Sequence, residues 1–212
     1  IVPIGRWVLH EACRQAMAWQ DAGLPAMLMA VNISAVELRA KNFAATVREA
    51  LALSGLDPRY LELELTETFL MQDSQATATA LRSLKNIGVR LSLDDFGTGY
   101  SSLSYLKRFP IDTLKIDRSF VCDLVTDPDD ASIVSAVISM GRNLHMQVIA
   151  EGIETQEQVE FLQDRRCPAG QGYFLSTPLA AEDIPMFMAS EPVGQRVARG
   201  ARPRPALVRT TH

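Results

Sequence analysis

Six short apolar segments alternate with helical ones, and no neighbouring pair is joined by a hairpin signal. That alternation constrains the chain more than any other feature, because strands linked through helices pair in parallel. Trp7 to Gln20 reads as a helix closed by Gly23 and Pro25, and AMLMAVNI is a strand ending near Asn32. Ser34 and Glu37 form a capping box for one helix that runs on to Gly55. LELELTE is a strand, followed by a helix from about Ser74 to Gly88. VRLSLDD is the next strand, leading into a glycine loop and a short helix stopped by Pro110. IDTLKID is a strand, and Asp127 and Pro128 open a helix through Leu144. QVIAEGI is a strand whose following helix is capped by Thr155 and Gln158. GQGYFL reads as a last strand before a short helix near Asp183.

Two architectures fit this order, a doubly wound open sheet and a (β/α)8 barrel. The open sheet usually carries a glycine fingerprint after an early strand, and GTGYSS at Gly97 comes late and lacks the GxGxxG spacing. The barrel places polar functional residues at the C-terminal ends of many strands, and this chain has them there. The fold class expected is therefore an α/β, TIM-type (β/α)8 barrel with about six βα units, two fewer than the barrel needs, missing on the N-terminal side. Residues 1–190 make up this partial domain.

Composition sets limits. With 47% hydrophobic residues the 212-residue chain can bury a core, and its net charge of −4 argues against binding polyanions by bulk electrostatics, so no DNA binding is expected. Cys13, Cys122 and Cys167 have no disulfide or metal-finger spacing and read as free thiols in a reducing, cytoplasmic compartment. The longest apolar run, Ala26 to Val31, is too short to span a bilayer. Because the chain opens on Ile1, it is read as part of a longer protein, with any anchor to the inner membrane lying in missing N-terminal segments. Beyond Glu191 the sequence carries five Arg and no acid, and 191–212 reads as a basic, disordered tail.

The chemistry gathers at strand ends: Asn32, Glu64, Asp94 with Asp95, Lys115, Glu151 and Gln171. Strands of a parallel sheet are buried on both faces, so a carboxylate such as Glu64 is costly unless something pairs with it. One such group could be a structural ion pair. Several converging on one mouth repel one another unless a cation sits among them. All the donors are oxygens, which suits Mg²⁺ or Mn²⁺ (or Ca²⁺) over zinc. Asp94 and Asp95 could serve two ions, an arrangement used to attack phosphodiesters, with Lys115 holding hydroxide or a phosphate oxygen. A lyase using carboxylate-held Mg²⁺ and a lysine base fits the same residues.

VNIS, ELTET, DDFGTGYSSLSYLKRFPIDTLKIDRSFV, VIAEGIET and QGYFLSTPL occur in this order and spacing. From about Ile4 to Leu179 the chain resembles the EAL-type cyclic di-GMP phosphodiesterases. The resemblance implies a (β/α)8-type barrel, two Mg²⁺ or Mn²⁺ ions, and hydrolysis of cyclic di-GMP to linear pGpG. It implies that Asn32, Glu64 and Asp94 hold one metal, and that Asp94, Asp95 and Glu151 serve the second. Lys115 matches the lysine at the catalytic water, so Lys115, Asp95 and Glu151 are the expected catalytic set. Gln171 matches a glutamine at the site. Glu67 matches the glutamate that holds the loop of Phe96, Gly97, Thr98 and Gly99, which continues to Ser102 and joins dimer contacts to the metal site.

A homodimer through the barrel and upstream sensor or diguanylate-cyclase-type domains are implied as partners. The strand-end Glu-Ala-Leu motif that names the family is not found, so this chain alone is expected to be weak or inactive, with a non-hydrolysing cyclic di-GMP receptor as the alternative. Arg166 stands where family members often carry Gly, and the histidines have no ligand spacing.

Overall fold

A computed structural model describes residues 1–40, 42–67, 74–99, 106 and 108–190. The strands are β1 (Met29–Asn32), β2 (Leu61–Thr66), β3 (Arg90–Phe96), β4 (Thr113–Ile116), β5 (Gln147–Ala150) and β6 (Ala169–Gly170). The helices are α1 (Val2–Asp21), α2 (Ala35–Arg39), α3 (Phe43–Ser54), α4 (Ser74–Lys85), α5 (Arg118–Cys122), α6 (Pro128–Asn143), α7 (Gln156–Asp164) and α8 (Ile184–Ala189). The strands take their places in the sheet in chain order, β1 to β6. A doubly wound sheet reverses direction from an early strand, whereas a (β/α)8 barrel adds each strand beside the last, so the order selects the barrel. The described sheet has six strands, where a closed barrel of this type has eight.

The chain divides into two compact units. The first comprises residues 1–115 with 144–146 and contains β1 to β3 and α1 to α4. Here β1 pairs with β2 in register Val31 to Leu63, and β2 with β3 in register Leu63 to Leu91, both parallel. Leu61, Leu63, Leu65, Leu91 and Leu93 are buried on one face of these strands, while Glu62, Glu64, Ser92 and Asp94 alternate onto the other. α1 starts with Pro3 in its first turn and buries Leu9, Cys13 and Ala16. Burial pushes the Cys13 thiol up to about 11, so it behaves as a small apolar side chain.

The expected single helix from Ser34 to Gly55 is two helices. The Ser34–Glu37 capping box is present, but α2 ends where Ala40 adopts extended backbone (φ −64°, ψ 126°), and α3 starts after Asn42. Asn competes for backbone hydrogen bonds and favours a helix boundary over an interior. Gly55, at φ 78°, closes α3 in the left-handed conformation that glycine adopts without penalty.

The second unit comprises residues 116–143 and those from 147 onward. Asp127 accepts the Asp129 N–H at 2.8 Å at the start of α6, and Thr155 and Gln158 form the expected box on α7. The Gln158 amide also donates to the Cys122 carbonyl at 3.0 Å, tying α7 to α5. The last strand is shorter than GQGYFL predicts. β6 ends at Gly170, and the chain turns at Gly172, whose carbonyl accepts the Leu175 and Ser176 N–H groups. A Cβ at Gly172 would lie 2.2 Å from both N and O of Ile153, so backbone packing there excludes any side chain. The helix expected before Pro110, the loop residues Tyr100 to Ser102 and the tail 191–212 lie outside the described residues.

Candidate functional site

In the first unit, β1 to β4 carry Asn32, Glu64, Asp94 and Lys115 to their C-terminal ends. Asn32 stands opposite Glu64 in the parallel register, exposed at the end of β1. Glu64 is 7% exposed and Lys115 4%, so both charges are held away from bulk water. The Lys115 ammonium lies 3.0 Å from Glu64 Oε1 and 3.1 Å from Asp94 Oδ1. Although Asp94 Oδ1 is within ion-pair distance, it is buried and accepts no hydrogen bond. Lys115 is thus the counter-charge that the two carboxylates share, and Asp94 Oδ1 makes no well-aligned hydrogen bond besides.

Asp94 and Asp95 are consecutive in β3, where side chains should project to opposite faces. Asp95 instead has φ 54°, in the left-handed region that Asp tolerates better than most residues. That turn breaks the alternation, and carboxylate oxygens of the two residues come within 4.8 Å of one another. The Asp95 carbonyl then accepts the Thr98 hydroxyl at 2.9 Å. Phe96 is buried, and Gly97 (φ 106°) donates its N–H to Glu67 Oε2 at 2.8 Å. Glu67 is 1% exposed, and a Cβ at Gly99 would meet its Oε1 at 2.7 Å. The Glu67 carboxylate therefore clasps Gly97 and lies against Gly99, and a larger residue at 99 would displace it.

In the second unit, Glu151 follows β5 and Gln171 follows β6. The Gln171 amide donates to Glu151 Oε1 at 2.6 Å, and the backbones are tied by Gln171 N–H to Ala150 O at 2.8 Å. The Glu151 N–H donates to Ile116 O at 3.1 Å, fixing the end of β5 against that of β4. Arg166 has φ 57°, a conformation that explains why a glycine suits that position.

Sequence reasoning gave no site role to Glu62 or Ser92. Glu62, 1% exposed, accepts from the Thr113 hydroxyl at 2.8 Å, with Arg90 Nε at 3.7 Å. Burial pushes its carboxyl above the usual range, and Thr113 and Arg90 only partly offset this. Ser92 is fully buried, with a hydroxyl that finds no partner among the described residues. Alternation along β2 and β3 could have flagged both, since they share a face with Glu64 and Asp94. A Glu-Ala-Leu tripeptide does occur, as Glu49-Ala50-Leu51. It lies within α3, where Glu49 meets Arg6 at 2.9 Å, and not at a strand end.

The donor set is an amide oxygen and carboxylates, with no His or Cys among the expected ligands. With carboxylate oxygens of Asp94 and Asp95 within 4.8 Å of one another, these residues fit a hard divalent cation. Parallel strands in barrel order, with acids and one lysine at their C-terminal ends, define a protein of the α/β barrel class with acidic groups that could hold a metal.

The chain belongs to the EAL domain family, whose profile matches residues 1–178. It is 48% identical over 184 residues to the bifunctional diguanylate cyclase/cyclic di-GMP phosphodiesterase MucR of Pseudomonas aeruginosa, a match covering 87% of this chain and 27% of that protein. The chain spans about a quarter of the length of the curated relatives it matches. The PaMucR phosphodiesterase, solved as its c-di-GMP complex, superposes with a TM-score of 0.83 at 48% identity, covering 86% of this chain and 74% of that one. A manganese/cy-diGMP complex of Klebsiella pneumoniae BlrP1 superposes with a TM-score of 0.74 at 31% identity, covering 84% of this chain and 45% of that one. No helix among the described residues is long and apolar enough to cross a membrane.

Proposed function

We propose that this chain is the cyclic di-GMP phosphodiesterase domain of a larger signalling protein, opening one phosphodiester bond to give linear pGpG. The observation that carries the reading is the buried arrangement of Lys115 between Glu64 and Asp94 at the strand ends, with Asp95 turned to bring its carboxylate beside that of Asp94. The names of the MucR relative and of the manganese-containing neighbour support the substrate and the metal.

Asn32, Glu64 and Asp94 would hold one Mg²⁺ or Mn²⁺, and Asp94, Asp95 and Glu151 a second. A pair of such ions supplies charge neutralisation at the phosphate and a more acidic water. Lys115 holds the attacking water or a phosphate oxygen with its ammonium. Gln171 orients Glu151 through their 2.6 Å hydrogen bond. Glu67 fixes the backbone at Gly97 and so the path of the loop after Asp95. Thr98 adds its hydroxyl to the Asp95 carbonyl, holding the turn that brings the two aspartates together. A homodimer and flanking cyclase or sensor domains belong to the same reading, as the bifunctional relative suggests.

The 212-residue chain alone is expected to turn over weakly or not at all without the strand-end Glu-Ala-Leu, so the test incubates the full-length protein beside it with cyclic di-GMP and Mn²⁺ and separates products by chromatography. Linear pGpG that disappears with chelator or with Glu64→Gln supports the proposal. A phosphodiester cut gives a new phosphate monoester, whereas the lyase alternative gives an alkene or enol. Cyclic di-GMP bound but left intact would assign the receptor role, and no binding at all would overturn the reading.

A further inference from the structure

Beneath the buried contact of Lys115 with Glu64 and Asp94 lies a second polar layer that the proposed chemistry does not use. Glu62 stands two residues before Glu64 on β2, and Thr113 two residues before Lys115 on β4. Two residues of strand span about 6.6 Å, so the lower pair repeats the upper one at the next level of the same face. β2 and β4 flank β3, yet the Thr113 hydroxyl donates to Glu62 Oε2 at 2.8 Å. The contact therefore passes across β3, as that of Lys115 with Glu64 does at 3.0 Å. Glu62 also faces Arg90, its register partner on β3, with Nε at 3.7 Å. One carboxylate thus ties together the three strands that carry Glu64, Asp94 and Lys115. On the same face of β3 the next residue is the small, fully buried Ser92, which leaves room for that crossing.

Packing does not require this layer to be polar. In (β/α)8 barrels alternate strands fill each interior layer, and branched apolar residues dominate there. β2 and β4 are such alternate strands, but they supply a carboxylate and a hydroxyl, both buried. Burying the carboxylate costs free energy that an apolar pair would not. Replacing both partners of a buried polar contact with apolar groups of similar shape is often neutral or stabilising. Stability alone is therefore a poor account of Glu62 and Thr113. What sets a hydrogen bond apart from apolar contact is a fixed length and direction.

We infer that Glu62 and Thr113 are positioning residues, which hold β2 and β4 at the separation that sets the Lys115 ammonium between Glu64 and Asp94. The inference rests on the phosphodiesterase reading above and names what aligns its lysine. Without the lower contact β4 is free to shift against β2, and the ammonium no longer meets both acids. A displacement of about 1 Å is enough to cost up to a hundredfold in rate when a reacting group is misplaced.

The test makes the layer apolar with the double variant Glu62→Met, Thr113→Val, and keeps it polar with Thr113→Ser. Arg90 is 36% exposed and reaches water when its partner is removed. Mn²⁺ titration calorimetry and thermal unfolding in chelator use the 212-residue chain, and turnover of cyclic di-GMP uses the full-length protein. The double variant is expected to keep or raise Tm while binding Mn²⁺ about tenfold more weakly. Its kcat falls about tenfold with KM unchanged. Thr113→Ser stays close to wild type in all of these. If the double variant fails to fold by circular dichroism, Thr113→Val against Thr113→Ser carries the same comparison. Unchanged Mn²⁺ affinity and kcat in a folded variant overturn the inference. Losses that appear only with a lowered Tm overturn it as well, because a loosened fold would explain them. A full-length wild type without Mn²⁺-dependent turnover removes the phosphodiesterase reading, while the Mn²⁺ affinities still decide whether the lower layer sets the acids above it.

Discussion

Replacing Lys115 with Met tests whether the ammonium is what makes the buried acids tolerable. Met fills similar volume and keeps an unbranched stem, so the loss is chiefly electrostatic. The ammonium lies 3.0 Å from Glu64 and 3.1 Å from Asp94. At an effective dielectric of about 20, each contact corresponds to about 5 kcal/mol of Coulomb attraction. Desolvation of the three groups cancels much of this in the folded protein. Removing one partner leaves the others uncompensated, for which the usual cost is about 3–5 kcal/mol. A domain of this size is stable by only about 5–15 kcal/mol, so the loss is a large fraction of the total. It corresponds to a fall in Tm of about 10 °C.

Urea unfolding with chelator and again with millimolar Mn²⁺ measures the effect, checked by thermal denaturation. Lys115→Met is expected to lose about 3–5 kcal/mol in chelator. It should regain more than wild type on adding Mn²⁺, because a cation binding only the folded state adds stability by mass action. Adding Glu64→Gln to the variant recovers part of the loss, since one buried charge is then gone. A Lys115→Met protein within about 1 kcal/mol of wild type in chelator, with equal response to Mn²⁺, would refute the electrostatic reasoning.

Two further perturbations probe the neighbouring layers. Because burial raises the Glu62 pKa in the folded state above its unfolded value, the folded chain binds the proton more tightly and loses stability as pH rises through the window above about 4.5. Glu62→Gln retains an acceptor for Thr113 and removes that loss, so stability-against-pH curves for variant and wild type diverge above this window. Parallel curves would contradict the assignment. Gly99→Ala forces a methyl to within 2.7 Å of Glu67 Oε1 and should break the clasp on Gly97. We expect at least a fivefold weaker Mn²⁺ affinity by titration calorimetry, about 1 kcal/mol, with most of the stability retained. Unchanged affinity would show that the clasp does not govern Asp95.

Much of the fold and the candidate site is legible in the sequence because the signals are local. The Ser34–Glu37 and Thr155–Gln158 boxes each depend on side chains three residues apart, and both form. Strand segments show as β-forming runs, and strand ends show as polar residues that interrupt them. These features made the barrel-type order readable before any coordinates, and long motifs such as DDFGTGYSSL with LKIDRSF made the family so. The break between α2 and α3 was not readable, because Asn42 signals a boundary only weakly against a continuing helical pattern. The short β6 escaped for a different reason: its end is set by contact between Gly172 and Ile153, not by its own composition.

What only the tertiary structure decided are the relations between residues distant in the chain. Lys115 stands far along the chain from Glu64 and Asp94, and only pairing of β2 with β3 and packing of β4 fix their approach. A sequence shows that Asp94 and Asp95 are adjacent, yet alternation alone would send them to opposite faces. The left-handed backbone at Asp95 sets them together, next to a turn held by Thr98 and by Glu67 on Gly97. Arg118 and Glu154, 36 residues apart, meet for the same reason. Local propensity is a property of a few consecutive residues, whereas charge pairing in a buried site depends on distances that exist only once the strands have packed. The sequence by itself determined which chemical groups this protein brings to its strand ends; the fold decided which of them touch.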